Sequence, residues 1–163
     1  MADNNSKRGF TLAELLIVVA IIAVLVAVAI PVFTAQLKKA QQAADLANAR
    51  SIYAELTADF ISNGKSTVKV YRDDVELSPG DSGLLAHECY WHEGKYTVSL
   101  VDSNGNKSTF SFANPSWTYL LICVDYENGG APAVSYQPNF NHEEHDENGN
   151  ELGWYSFGPD YGI

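Results

Sequence analysis

The pattern of apolar and polar positions divides the chain near one third of its length. From Leu15 to Phe33, LLIVVAIIAVLVAVAIPVF, about 19 residues run without a charge, long enough to cross a bilayer as a helix. From Thr34 the pattern turns amphipathic, TAQLKKAQQAADLANARSIYAELTADFISNG, rich in good helix formers and with neither Gly nor Pro before Gly64. Leu46, Ala49, Tyr53, Leu56 and Phe60 recur at 3-4-3-4 spacing and Ile52 widens the stripe, which gives one apolar helix face. Asn63-Gly64 reads as the stop. The pattern predicts one helix from Leu12 to Ser62, on the order of 75 Å long at about 1.5 Å per residue. No globular domain of this size needs such a helix inside it, so its first half must be buried elsewhere, in lipid or among other copies of itself. Ala23 and Ala27, with Ala20 one turn earlier, form a small-xxx-small pair suited to close helix approach in lipid, although an Ala/Val/Ile-rich span also contains such pairs by chance. Pro31 removes one backbone hydrogen bond and should kink or loosen the helix nearby.

Beyond Gly64 the period changes to two. Ser66–Tyr71 alternates, Tyr96–Val101 alternates cleanly, and Lys107–Phe112 alternates again after the turn Asp102-Ser103-Asn104-Gly105-Asn106. Asn-Gly between two alternating runs predicts a hairpin. Ser116–Tyr126, SWTYLLICVDY, reads as a more buried strand closed by Asn128-Gly129-Gly130. Val134–Tyr136 and Trp154–Phe157 read as short strands around Asn148-Gly149, and Asp74–Trp91 as a loop with a helical turn. An amphipathic helix on an antiparallel sheet buries both apolar faces at once, so the expected class is α+β.

Composition and charge narrow the function classes. The 163 residues carry a formal net charge of −10 and a sequence pI near 4.6, which suits one domain with an appendage. An acidic chain is a poor general nucleic-acid binder, since phosphate neutralisation needs Lys and Arg, and it does not favour adhesion to anionic lipid. It suits a solvated extracellular surface.

The N-terminus carries the sharpest signal. In RGFTLAELLIV, Glu14 stands at the edge of the apolar span with no cation one turn further in. A charged group costs about 2.5–3.5 kcal/mol at the centre of a membrane helix and less near its ends. Lys7 and Arg8 precede the span and hold the leader MADNNSKRG in the cytoplasm by the positive-inside rule. Three readings follow. A secretory signal peptide would be cut after Ala27-Val28-Ala29, but its apolar core is long, Pro31 would become the second mature residue, and Glu14 would have no role. A plain membrane anchor explains the length but not Glu14. The third reading is a resemblance: Gly9-Phe10-Thr11-Leu12-Ala13-Glu14 before a long apolar helix resembles the prepilin signature of type IV pilins and pseudopilins. The likeness covers about the first 55 residues in pattern; Ala13 departs from the family, which more often has Ile there.

The resemblance implies the rest. A membrane aspartyl peptidase would cut between Gly9 and Phe10, and Phe10 would then be N-methylated. Glu14 stands where the family has its near-invariant glutamate, and Pro31 where many members have a proline. The new α-amine, with an unperturbed pKa of about 7.7–8.0, would pair with Glu14 of the same or a neighbouring copy and set the axial stagger of subunits. The expected architecture is pilin-like: leader 1–9, apolar membrane and filament-core helix 10–33, amphipathic continuation 34–63, and a β-rich extracellular head 64–163. The expected role is a structural subunit of a type IV pilus, without enzymatic activity and without a cofactor. Adhesion, motility and surface attachment are the roles such a filament serves. Its partners are other copies of itself, the peptidase/methylase, a membrane platform protein and a cytoplasmic assembly ATPase; no direct nucleic-acid contact is expected. Before assembly the chain would span the membrane once with the head outside, and afterwards it would lie in a surface filament. The alternatives are a minor pilin or pseudopilin of a secretion or DNA-uptake system, and a secreted binding protein or enzyme released after Ala29.

Remaining chemical candidates are weaker. Cys89 and Cys123 fall in the region placed outside the cell. A bridge would close a loop of about 33 residues and stabilise by roughly 3–4 kcal/mol; two buried thiols are the alternative. Gly80-Asp81-Ser82-Gly83 has the look of a serine-protease nucleophile loop, yet no His precedes Ser82, and a turn is the better reading. In His142-Glu143-Glu144-His145-Asp146-Glu147, His142 and His145 are weak metal candidates; the segment is not HExxH and lies among helix breakers, so an acidic surface loop is expected. Asp102–Asn106 lacks the EF-hand spacing and reads as a turn. Tyr90, Trp91, Trp117, Tyr119, Trp154 and Tyr155 read as core and head-to-head contacts, with surface adhesion as the alternative.

Overall fold

The computed structural model describes residues 10–77, 84–88, 95–113, 118–126, 129–138 and 155–159, with the backbone alone for 84–88, 118–119 and 138. Helix α1 spans Leu12–Asn63, one residue beyond the expected end. Its stop is a left-handed cap. Gly64 takes φ 70° and its N–H donates to the Phe60 carbonyl at 2.8 Å, a conformation a side chain would disfavour. Asp59 then ties the departing chain back: it accepts the Thr67 N–H at 2.6 Å and the Thr67 hydroxyl at 2.7 Å. The chain divides into two units, residues 1–37 and 38–163.

In the second unit eight strands follow the helix: β1 Lys69–Arg72, β2 Val75–Glu76, β3 Leu84–Glu88, β4 Tyr96–Val101, β5 Lys107–Phe112, β6 Thr118–Asp125, β7 Ala133–Pro138 and β8 Tyr155–Phe157. They form two four-stranded antiparallel sheets, ordered β2-β1-β4-β5 and β3-β6-β7-β8. The single small sheet expected from the hairpins is therefore two, and the class remains α+β. β4 and β5 have the predicted bounds. Gly105 at φ 82° and the bond from its N–H to the Asp102 carbonyl make the turn between them. The segment read as a loop, Asp74–Trp91, instead contributes β2 and β3. β2 turns back on β1 through Asp73 and Asp74, both at positive φ (47° and 66°), the geometry of a two-residue hairpin turn. Asp can enter that region more readily than most residues.

The core lies between α1 and both sheets. Ala49, Ile52 and Leu56 of α1 meet Val70, Tyr96, Val98, Leu100 and Phe112 of one sheet and Leu120, Ile122, Val124, Val134 and Tyr136 of the other. Tyr96 and Phe112 are cross-strand partners whose rings stack at 4.8 Å. β6 is buried along Leu120–Asp125 on both faces, as its continuous apolar run implies.

Candidate assembly site at the head of the helix

Phe10 and Thr11 precede the first helical residue, Leu12, and Phe10 is 85% exposed. Thr11 and Glu14 close a reciprocal cap. The Thr11 N–H and hydroxyl both donate to Glu14 Oε2, at 2.8 and 2.7 Å. The Glu14 N–H donates back to Thr11 Oγ1 at 3.2 Å, and the Thr11 carbonyl accepts the first helical bond, from Leu15 N–H at 3.2 Å. This is a capping box: it satisfies helix-end donors with an N-cap hydroxyl and a carboxylate three residues on. Glu14 thus has a local partner that the reading of the sequence overlooked, although Thr-x-x-Glu before an apolar run is its signature. The negative charge also sits at the favourable end of the helix dipole.

Beyond the cap, the apolar side chains have nothing to cover them within the chain. Leu15, Leu16, Ile17, Val18, Val19, Ile21, Ile22, Val24, Leu25, Val26, Val28, Ile30, Val32 and Phe33 all remain exposed. The most apolar 18-residue window has mean hydropathy 3.3 and is 0% buried. Among the described residues one helix is long and apolar enough to cross a membrane. Helix α1 continues through Pro31. One turn later the Thr34 hydroxyl donates to the Ile30 and Pro31 carbonyls at 2.9 and 3.0 Å, a local polar link beside the bond that Pro31 cannot make.

A family model described as "Prokaryotic N-terminal methylation motif" matches residues 4–30, the stretch that holds Gly9, Phe10, Thr11 and Glu14. Over a longer span the chain is similar to the type IV major pilin protein PilE1 of Neisseria gonorrhoeae, 30% identical over 105 residues, 64% of this chain and 58% of that protein. The chain belongs to the type IV pilin family. Similar too are the type IV major pilin protein PilE of Neisseria gonorrhoeae, 30% identical over 104 residues (64% and 62% of the two chains), and the fimbrial protein of Neisseria meningitidis serogroup A, 28% identical over 103 residues (63% and 61%). The matched part spans about three fifths of these pilins' own length. No solved structure matches the chain significantly. The pilin-like architecture, one long N-terminal helix with antiparallel sheets, agrees with the family.

The other candidates sit apart from this site. Cys123 in β6 is a buried free thiol whose pKa burial pushes up to about 11, which makes it a poor nucleophile. Cys89 lies outside the described residues, as do Gly80–Gly83, His142 and His145, and the aromatics Tyr90, Trp91, Trp117 and Trp154. Asp102 spends its carboxylate on its own turn: Oδ1 accepts Asn104 and Asn106 N–H at 2.9 and 2.8 Å, and Oδ2 accepts Asn106 Nδ2 at 2.7 Å. Those bonds, led by the Asn106 side chain, hold its pKa below the usual value.

Proposed function

We propose that this pilin is a structural subunit of a type IV pilus, cut between Gly9 and Phe10, methylated on Phe10 and polymerised through α1. The observation that carries the reading is the exposed apolar half of α1, headed by Glu14 inside the matched methylation motif. An uncovered apolar surface of that extent needs lipid before assembly and neighbouring helices after it. The precursor spans the membrane once, with the leader inside and residues 64–163 outside. The peptidase/methylase, a platform protein and an assembly ATPase are the partners this implies. Helix-to-helix contact between copies is heterologous and open, so it builds a fibre rather than a closed ring. Glu14 pairs with the Phe10 α-amine of an adjoining copy and fixes the stagger; in low dielectric an unpaired carboxylate is costly and a paired one far less so. The net charge of −10 leaves phosphate backbones without a counter-surface, so this subunit does not bind nucleic acid directly.

The first test is the N-terminus and intact mass of the protein from its native cells. A start at Phe10, one methyl group heavier than the bare sequence, supports the reading; a start at Ile30 sinks it. Glu14→Ala should leave insertion and cleavage intact and deplete the subunit from sheared filaments, and incorporation at the wild-type level would refute the pairing.

A further inference from the structure

The two carboxylate oxygens of Glu14 are not equivalent. Both donors of Thr11 converge on Oε2, and no hydrogen bond reaches Oε1 from any described residue. We propose that Thr11 is a positioning residue for assembly: by holding Oε2 it presents Oε1 to the cationic α-amine of an adjoining copy. The inference rests on the pairing of Glu14 proposed above and adds the residue that aims it.

A glutamate side chain has much rotamer freedom to lose when it is fixed, and a free one at a lipid boundary swings toward headgroup water. Thr11 restricts it before the neighbour arrives. The grip also lowers the cost of carrying the carboxylate into an apolar environment, because two donors already replace part of its hydration. One oxygen remains for the neighbour, so the second bond adds to the cap rather than competing with it. Thr11 also accepts the Glu14 N–H, and that bond is a property of the helix end alone. It survives when the carboxylate is changed, which allows the two roles of the hydroxyl to be separated.

The experiment co-expresses each full-length variant with the wild-type chain in native cells and measures its share in sheared filaments by mass spectrometry, with N-terminal cleavage read in parallel. Thr11→Val removes the hydroxyl at nearly constant shape; Thr11→Ser keeps it. The expected result is a loss of incorporation of about tenfold for Thr11→Val, the scale of one charge-assisted hydrogen bond. Thr11→Ser should incorporate near the wild-type level, and cleavage should be unchanged for both. In a Glu14→Gln background, Thr11→Val should cost nothing further, because there is no charge left to aim. Thr11→Val at the wild-type level beside a defective Glu14→Gln would overturn the role of Thr11 alone. A full additional loss in the Glu14→Gln background would assign Thr11 to helix capping and overturn it as well. Wild-type incorporation of Glu14→Gln would overturn the pairing and this inference together.

Discussion

Asp45 shows how one polar side chain can hold an otherwise apolar interface. It is 1% exposed on α1 and reaches both sheets: it accepts the Ala113 N–H at 3.0 Å, just past β5, and the Tyr136 hydroxyl at 3.5 Å, from β7. Three residues further along α1, Asn48 Nδ2 donates to the Ser111 carbonyl at 2.8 Å on the same strand, so the helix satisfies part of the edge that β5 presents. Buried charge is tolerable only with such donors. Asp45→Ala removes the acceptor and should cost about 2–4 kcal/mol, the range for hydrogen bonds to a charged group plus a stranded donor. Asp45→Asn keeps one carbonyl oxygen and should lose less. Thermal unfolding of the full chain in detergent measures both, and equal melting temperatures for Asp45→Ala and the wild type would show that the contact contributes nothing.

At the scale of elements, the line that faces the sheets is Asp45, Ala49, Ile52 and Leu56, spaced four, three and four residues apart. Ile52 is fully buried whereas Ile61, on the same helix, is 75% exposed. Ile52→Ala should therefore destabilise by about 2–5 kcal/mol and Ile61→Ala by less than about 0.5 kcal/mol. Comparable losses from the two in chemical denaturation would mean that the helix face has been misplaced. The stripe read from sequence, Leu46 through Phe60, lay one residue aside of this line, because an aspartate at position 45 does not count as a core residue until its partners are known. Helix α1, β4 and β5 were legible to within a residue: their periods are unbroken, and Gly64 and Gly105 mark the turns that need positive φ. β2 and β3 were not. The β1–β2 turn is made by two aspartates instead of a glycine, and β3 finds its partner only in β6, far along the chain. The division into two sheets depends wholly on such distant pairings, which no local pattern encodes. At the assembly site Glu14 was legible as an anomaly of charge. Its capping partner was equally legible from Thr11-x-x-Glu14, but the search for a cation passed over a threonine.

For the molecule as a whole, pH dependence should concentrate at the alkaline end. Burial raises the Cys123 thiol from its ordinary 9.0 to about 11. Burial first, then the charges of Glu76 and Asp59, raises the Tyr126 phenol from 10.0 to about 12, while its hydroxyl donates to the Val68 carbonyl at 2.7 Å. For both groups the native state keeps its proton at a pH where the unfolded chain releases it. The stability tied to these protons is complete below about pH 9 and is lost as pH rises through 9–11 for Cys123 and 10–12 for Tyr126. A shift of that size at Cys123 corresponds to something on the order of 3 kcal/mol at its limit. The reduced protein should thus unfold at progressively lower temperature above pH 9, and Cys123→Ala should flatten the first part of that decline. The same burial predicts slow alkylation of Cys123 by iodoacetamide at pH 8.5, with rapid labelling after denaturation, read at Cys123 by peptide mass spectrometry. Fast labelling of the folded, reduced protein at pH 8.5 would mean that the thiol is open to solvent and that β6 is not the doubly covered strand at the centre of its sheet.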